Sequence, residues 1–459
     1  MPERYHIPTV PAPAQFRPIG KYAIVDWRED CARCRNCVKT ACVNDVWSAE
    51  RTYDRDPYAP VEPLYDCRAC LSCVQGCTKG LLSLSVNPES LALGDSYWRP
   101  EMIATTWAQA ETGRIPVSGA GYRGPFSGPG FDSMWTDMSE IVRPTRDGIH
   151  GREYISTSVD IGAKPMRLRS GANGDLEAAE PLVEVPLPLI LDIPPWGRDG
   201  ERLARARLQA AKRLGILSTL RLEDIGLALE DELPFVAPLI APQDIAGQEP
   251  LLKRLRMLEI EDAPGALASF ERARAANPDL VVAIRLLVRP DAVERVLKLY
   301  ASGAKVIHLC ADARGCESGA AQPRFIKEVL REAHTRLVQE GVRDELTLIA
   351  GGGIALAEHM AKAVICGADL VAVGAPLMVA LGCRVCGGGH DDSCPIAIQE
   401  VDVDYAAQRM VNLMGAWHSQ LIEVLGAMGI REVRRLRGET GRAMFLEDLD
   451  REAFGDIGY

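Results

Sequence analysis

Eleven of the fourteen cysteines in this chain fall into three groups whose spacing suits metal chemistry. The first group is Cys31, Cys34, Cys37 and Cys42, and the second is Cys67, Cys70, Cys73 and Cys77. Each is a C-x-x-C-x-x-C run with a fourth cysteine a few residues on. Such a run wraps a short loop around one cubane, and in two-cluster ferredoxins the fourth cysteine of each run ligates the other cluster. The expected sites are therefore one [4Fe–4S] cluster on Cys31, Cys34, Cys37 and Cys77, and a second on Cys67, Cys70, Cys73 and Cys42. A pair of zinc knuckles is the alternative, although zinc sites normally combine paired C-x-x-C and histidine spacings. Val43 and Thr78 stand where a proline usually follows the fourth cysteine, and the gap from Cys37 to Cys42 is one residue longer than usual. Neither departure removes a ligand.

The third group, Cys383, Cys386 and Cys394, closes the stretch LTLIAGGGIALAEHMAKAVICGADLVAVGAPLMVALGCRVCGGGHDDSCP, residues 346–395. A strand-like run ends there in Gly351, Gly352 and Gly353, a helical run follows, and a second strand-like run ends at Gly374 and Ala375. A glycine-rich strand end facing a helix start offers backbone N–H groups to a phosphate. Clustered thiolates suit a soft metal centre. Together they predict a flavin or nucleotide phosphate site beside an iron–sulfur cluster.

Composition frames these sites. A chain of 459 residues with 47% apolar content holds two or more domains and a sizeable core. The net charge of −11 and pI near 5.3 argue against nucleic acid or an anionic membrane surface as a partner. No apolar run approaches a membrane span and no signal-peptide core opens the chain, so the expected location is the cytoplasm. A reducing compartment makes metal binding the better reading of so many thiols.

The positioning elements divide into five segments. Residues 1–22 form a proline-rich extended arm, 23–90 a dicluster ferredoxin-like domain, and 91–180 a connector and lead-in. The run GRIPVSGAGYRGPFSGPGFDSMW has six glycines and three prolines, so no regular element fits it well. It reads first as a linker, and second as a lid over the cofactor or a docking strap, for which Tyr122 and Trp135 speak. From 181 to 400, eight apolar runs recur near residues 188, 215, 235, 257, 281, 306, 346 and 370, most of them separated by amphipathic helical stretches. Eight such alternations describe a (β/α)8 TIM-type barrel, with a doubly wound sheet as the runner-up. Either fold puts its chemistry at the C-terminal strand ends. Residues 401–459 are C-terminal helices. Their stripe Met410, Met414, Trp417, Leu421, Leu425 and Met428 is expected to pack on its own domain, with partner docking as the lesser alternative. The basic run REVRRLRGE reads as a solvated helix end paired with the acidic segment beyond it.

The run GGGIALAEHMAKAVICGADLVAVGAPLMVALGC followed by CP resembles the FMN-binding barrel of the glutamate synthase large-subunit family, in the short form that carries a ferredoxin domain. RPTRDGIHGREYISTSVDIGAKP and the tail LIEVLGAMGIREVRRLRGETGRAMFLEDL are similar to it as well. The resemblance implies FMN, its phosphate held by the backbone of Gly352, Gly353, Gly374 and Ala375 next to Gly351, and an iron–sulfur cluster on the following loop. The family's C-x5-C-x4-C spacing has Gly389 in its middle position, with Cys386 as the remaining thiol. Three thiolates suit a [3Fe–4S] cluster, or a [4Fe–4S] cluster completed by His390 or Asp391.

The substrate side departs from the family. Its K-P-G-x-G-G loop is reduced to Ala263, Pro264 and Gly265, and its S-G-H-D-G-G-T-G run reads CADARGCESGA, bringing Asp312, Arg314 and Cys316. Arg285 matches the family lysine. Its charge would face the flavin N1/O2 edge, or pair with a carboxylate at the barrel mouth. Arg285, Asp312 and Arg314 are the catalytic candidates; Cys310 and Cys316 read as buried thiols, with a redox role as the alternative. Pro2 stands where an amidotransferase would carry its cysteine nucleophile, and no G-x-G-x-x-G unit offers an NAD(P)H site. Glutamine and NAD(P)H would thus be handled by other subunits. The expected function is an FMN and iron–sulfur oxidoreductase that links a flavin to ferredoxin-type clusters in a larger redox complex, with a ferredoxin or another redox subunit as partner. Glutamate-synthase-type reduction of 2-iminoglutarate is the alternative, and a flavin-free relay or scaffold the second.

Overall fold

The computed structural model of the chain describes residues 5–26, 30–32, 34, 36–37, 42, 67, 69–115, 127–136, 155–163, 173, 180–196, 200–386, 396 and 398–455. Residues 5–20 carry no regular element, as expected of an extended arm. The arm is nevertheless anchored. Val10 exchanges hydrogen bonds with the Asn412 side chain at 3.2 and 2.7 Å, and Arg409 Nη1 donates to the Ala12 carbonyl at 2.6 Å. Strand β1 (Tyr22–Asp26) pairs antiparallel with β2 (Leu82–Val86), Tyr22 opposite Val86 and Asp26 opposite Leu82. Both cysteine runs lie between these two strands in the chain.

The connector contains a helix that the glycine-rich run beside it hid from the sequence reading. Helix α1 (Pro100–Thr112) starts with Pro100 in its first turn and stops at Gly113, whose φ of 66° is the left-handed C-cap glycine favours. Met102, Ile103, Thr106, Trp107 and Ala110 bury one stripe of it. Beyond it, β3 (Met134–Thr136) takes in Trp135, while Tyr122 lies outside the described residues. Strands β4 (Val159–Gly162) and β5 (Leu182–Val185) form an antiparallel hairpin. Gly162 exchanges hydrogen bonds with Thr347 Oγ1 at 3.2 and 2.9 Å, which puts the hairpin against the N-terminal end of the barrel.

The barrel strands are β6 (Leu189–Leu191), β7 (Ser218–Arg221), β8 (Val236–Ile240), β9 (Met257–Glu261), β10 (Val281–Leu287), β11 (Val306–Cys310), β12 (Thr347–Gly351) and β13 (Leu370–Val373). Each pairs in parallel with the next, and β13 returns to β6, closing the barrel. Closure excludes the doubly wound sheet. The outer ring is α2 (Glu201–Leu214), α3 (Ala266–Ala276), α4 (Ala292–Ala301), α5 (Ile326–Gln339) and α6 (Ala357–Ile365), with 3₁₀ turns after β7 and β8. Helix α2 shows why: Leu203, Ala206, Ala210 and Leu214 bury one face, and Gly215 at φ 68° ends it.

A short helix, α7 (Ala375–Ala380), leads through the cysteine loop to the long α8 (Val403–Ala427). Met410, Met414, Trp417, Leu421, Leu425 and Met428 are all buried, α8 packing on α2 and α1 as a core-facing stripe should. Each such side chain contributes about 1.5–3 kcal/mol by burial. No described helix is long and apolar enough to cross a membrane. Arg434 and Arg437 of the basic run pair elsewhere than with the acidic segment that follows. Arg434 pairs with Asp160 at 3.0 Å and Arg437 with Asp369 at 2.8 Å, while Glu447 and Asp448 reach Lys327 and Arg331 instead. The reason is geometric: β14 (Ala443–Phe445) pairs with β3 and carries the last helix, α9 (Leu446–Phe454), onto α5.

Candidate functional site

A cavity of about 270 Å³ opens at the C-terminal ends of the strands. That is near the lower end of small-molecule pockets, roughly 300 Å³. One wall is backbone: Gly351, Gly352, Gly353, Gly374 and Ala375 all line it. Gly352 and Gly353 hold φ of 93° and 67°, and a Cβ on Gly352 would lie 2.5 Å from the Asp312 carbonyl oxygen. On Gly353 it would lie 2.7 Å from Gly315 Cα, and on Gly374 2.8 Å from the Ile193 oxygen. These glycines let two backbone segments close on each other, a cradle that a side chain would fill. Gly351 is small for another reason: a Cβ there would meet His308 Nε2 at 2.8 Å.

The opposite wall is charged. Arg285, on β10, gives paired hydrogen bonds to Asp192 at 2.8 and 2.7 Å, and a third to Glu259 Oε2 at 2.9 Å. The other Glu259 oxygen meets His308 Nδ1 at 3.1 Å. Burial alone would raise the Asp192 carboxyl, but the Arg285 charge and hydrogen bonds reverse this and hold it at about 2. Glu259 is likewise lowered against its burial, by His308 and Arg285. Of the two roles expected for Arg285, carboxylate pairing is present. Asp192, Glu259 and His308 were missed by the sequence reading, although each interrupts or ends an apolar strand run and so carried a signal.

The two other catalytic candidates do different work. Asp312 lines the cavity, but its Oδ1 accepts from the Arg314 and Cys316 amides at 2.9 and 2.8 Å, bracing its own loop. Arg314 turns outward, half exposed, to Asp95 at 2.9 Å. That contact belongs to a strap over the cavity rim. The Tyr97 hydroxyl donates to the Gly353 carbonyl, and Trp98 Nε1 donates to the Ala313 carbonyl at 2.9 Å. Trp98 is fully buried edge-on against Trp196. Asp95, Tyr97 and Trp98, at the start of the connector, thus pack on the cavity rim.

Residues 256–431 match the family described as a conserved region in glutamate synthase. The archaeal glutamate synthase [NADPH] of Archaeoglobus fulgidus is 24% identical over 94% of this chain and 96% of its own length. The archaeal-type glutamate synthase [NADPH] of Dehalococcoides mccartyi is 25% identical over 90% and 93%. The chain is thus similar to glutamate synthases over most of its length. Among solved structures, a mandelate oxidase with an FMN adduct aligns at a TM-score of 0.42 and 17% identity, over 75% of this chain and 91% of that one.

The cysteines of the two N-terminal runs converge. Cys73 is buried against Cys67 of its own run and against Cys37 and Cys42 of the other. Cys77 Sγ accepts the Leu81 amide at 3.3 Å, which lowers its thiol, and hydrogen bonds from Ser72 lower Cys70. Such N–H and O–H donors favour thiolates, the ligand form. Among the described residues, no three His, Cys, Asp or Glu side chains are arranged to hold a single ion. Cys383 is half-buried beside the strap, with Gly94 donating to the Arg384 carbonyl at 3.0 Å, and Cys386 is exposed. Gly389, His390, Asp391 and Cys394 lie outside the described residues. Cys310 lines the cavity, and burial raises the Cys316 thiol.

Proposed function

We propose that this oxidoreductase is an FMN and iron–sulfur protein that serves as the electron-transferring subunit of a larger redox complex. The observation that carries the reading is the split cavity, a glycine-built backbone wall facing a charged wall rebuilt away from the family pattern. Gly352, Gly353, Gly374 and Ala375 would hold the FMN phosphate through backbone amides, with Gly351 beside them. Bound there, FMN supplies the exchange between two-electron and one-electron chemistry. Tyr97 fixes the Gly353 turn, Trp98 and Trp196 exclude water from the rim, and Asp192 and Glu259 orient Arg285. Cys31, Cys34, Cys37 and Cys77 would bind one [4Fe–4S] cluster and Cys67, Cys70, Cys73 and Cys42 the second, within a ferredoxin-like domain spanning 23–90. Packing of Cys42 against Cys73 supports this crossed assignment. Cys383, Cys386 and Cys394 would hold a third cluster on the loop of a barrel domain spanning 181–400. A ferredoxin or a second subunit, in the cytoplasm, would take or give the electrons, and NAD(P)H would act through another subunit.

The test is direct. Purified protein should retain a flavin absorbance through a desalting column and contain iron and sulfide for three clusters by analysis and EPR. Given 2-oxoglutarate, ammonia and reduced ferredoxin, it should form no glutamate. Glutamate formation would establish the second reading, glutamate-synthase-type reduction of 2-iminoglutarate, which the names of relatives spanning over nine-tenths of their own length favour.

A further inference from the structure

His308 lies fully buried beneath the cavity with one ring nitrogen unmatched. Side chains alternate along β11, so His308 points the same way as Cys310, one step deeper than the cavity wall. The missing Cβ of Gly351 is the space that His308 Nε2 uses, so only a glycine separates the imidazole from the cavity. Nδ1 is committed to Glu259, whereas Nε2 has no partner among the described residues. A buried, unmatched ring nitrogen one glycine away from a cavity calls for a reason, and a redox or catalytic role is one.

The charges facing His308 can be counted by element. Asp192 follows β6, Glu259 sits on β9, Arg285 on β10 and the ionisable Cys310 on β11 itself. With an imidazolium, the two cations and the two carboxylates cancel. With a neutral imidazole, the array carries one negative charge directly below the cavity. Burial by itself would lower the His308 value; Cys310 and the Glu259 carboxylate oppose it and lift it to about 10.

We propose that His308 is the switchable charge of the barrel: a positioning residue whose proton, held by Glu259, keeps the array neutral and thereby favours an anionic, reduced cofactor above it. The proposal rests on the FMN reading. Uptake of two electrons from the redox partner and one proton makes the bound flavin one unit more negative, and an unprotonated His308 would set a second negative charge beneath it.

Two measurements on the full-length chain test this. In the first, the cofactor-free protein labelled with ¹⁵N-histidine is followed by NMR, with His308→Gln assigning the signal. Both His308 ring nitrogens should remain protonated at about pH 8, well above the ordinary histidine value of roughly 6.5; a neutral ring there overturns the proposal. In the second, affinities for oxidised and reduced FMN are compared. H308Q should weaken reduced FMN relative to oxidised about tenfold, or about 30 mV for a two-electron couple, as one charge at an effective dielectric of roughly 20 would. An unchanged ratio overturns the proposal. If the chain binds no flavin, the proposed function fails, and the NMR result alone decides the state of His308. If H308Q does not fold, Glu259→Gln replaces it and should return the resonance to the ordinary range; a resonance left unmoved counts against the proposal.

Discussion

At the mouth of the barrel the ends of β12 and β13 present backbone and almost no side chain, whereas β9, β10 and β11 present a buried array of charge. The two walls differ in what they can tolerate. The glycine wall is defined by what is missing, so a Cβ added at Gly352, Gly353 or Gly374 meets backbone that cannot move aside. The charged wall is defined by mutual compensation, so each group depends on the three others.

Breaking the charged wall should have the largest effect. Arg285→Leu strands Asp192 and Glu259 as buried carboxylates and is expected to cost about 3–5 kcal/mol, read by denaturant unfolding. Arg285→Lys keeps the charge, loses the paired geometry and should cost less. A loss under about 1 kcal/mol in the leucine variant would mean that the carboxylates find other partners. On the glycine wall, Gly352→Ala forces φ 93° on a residue with a Cβ and a 2.5 Å approach to the Asp312 oxygen. Strain of about 1–3 kcal/mol follows, and flavin retention on desalting should fall at least tenfold while the circular dichroism stays native. Retention at the wild-type level would separate this turn from the cofactor.

pH should distinguish the walls further. Because the His308 value is raised to about 10, its stabilisation is complete below the unfolded value near 6.5 and is lost as pH rises towards 10. The melting temperature should decline over that window in the wild type and less steeply in His308→Gln. Asp192 works in the opposite sense: held at about 2, it stabilises above roughly pH 3.9 and loses its contribution as pH falls through about 2. The smallest effect belongs to the strap. Tyr97→Phe removes one hydrogen bond to Gly353, worth about 0.5–1.5 kcal/mol, and should loosen flavin binding by several-fold without changing the fold.

Much of the architecture is legible in the chain, and the reason differs from place to place. The eight barrel runs are bounded by their own apolar residues, and the α8 stripe by its helical spacing, so local pattern and tertiary role agree. Helix α1 was obscured although Pro100 and Gly113 mark both its ends, because the glycine-rich run beside it dominated the local composition. The basic run was assigned to the wrong acids since sequence proximity says nothing about where β14 carries the chain.

Residue type and spacing alone marked out the cysteine groups, the strand count and the glycines of the cavity, because grouped thiols, strand burial and close backbone approach each show as particular residues at fixed intervals. Only the tertiary structure decided that Arg285 is neutralised by Asp192 and Glu259, that Arg314 turns away to Asp95, and that Gly351 makes room for His308. Those contacts join residues 26 to 219 positions apart in the chain. Closure of the barrel, and no local pattern, brings Arg285, Asp192, Glu259 and His308 into one desolvated layer.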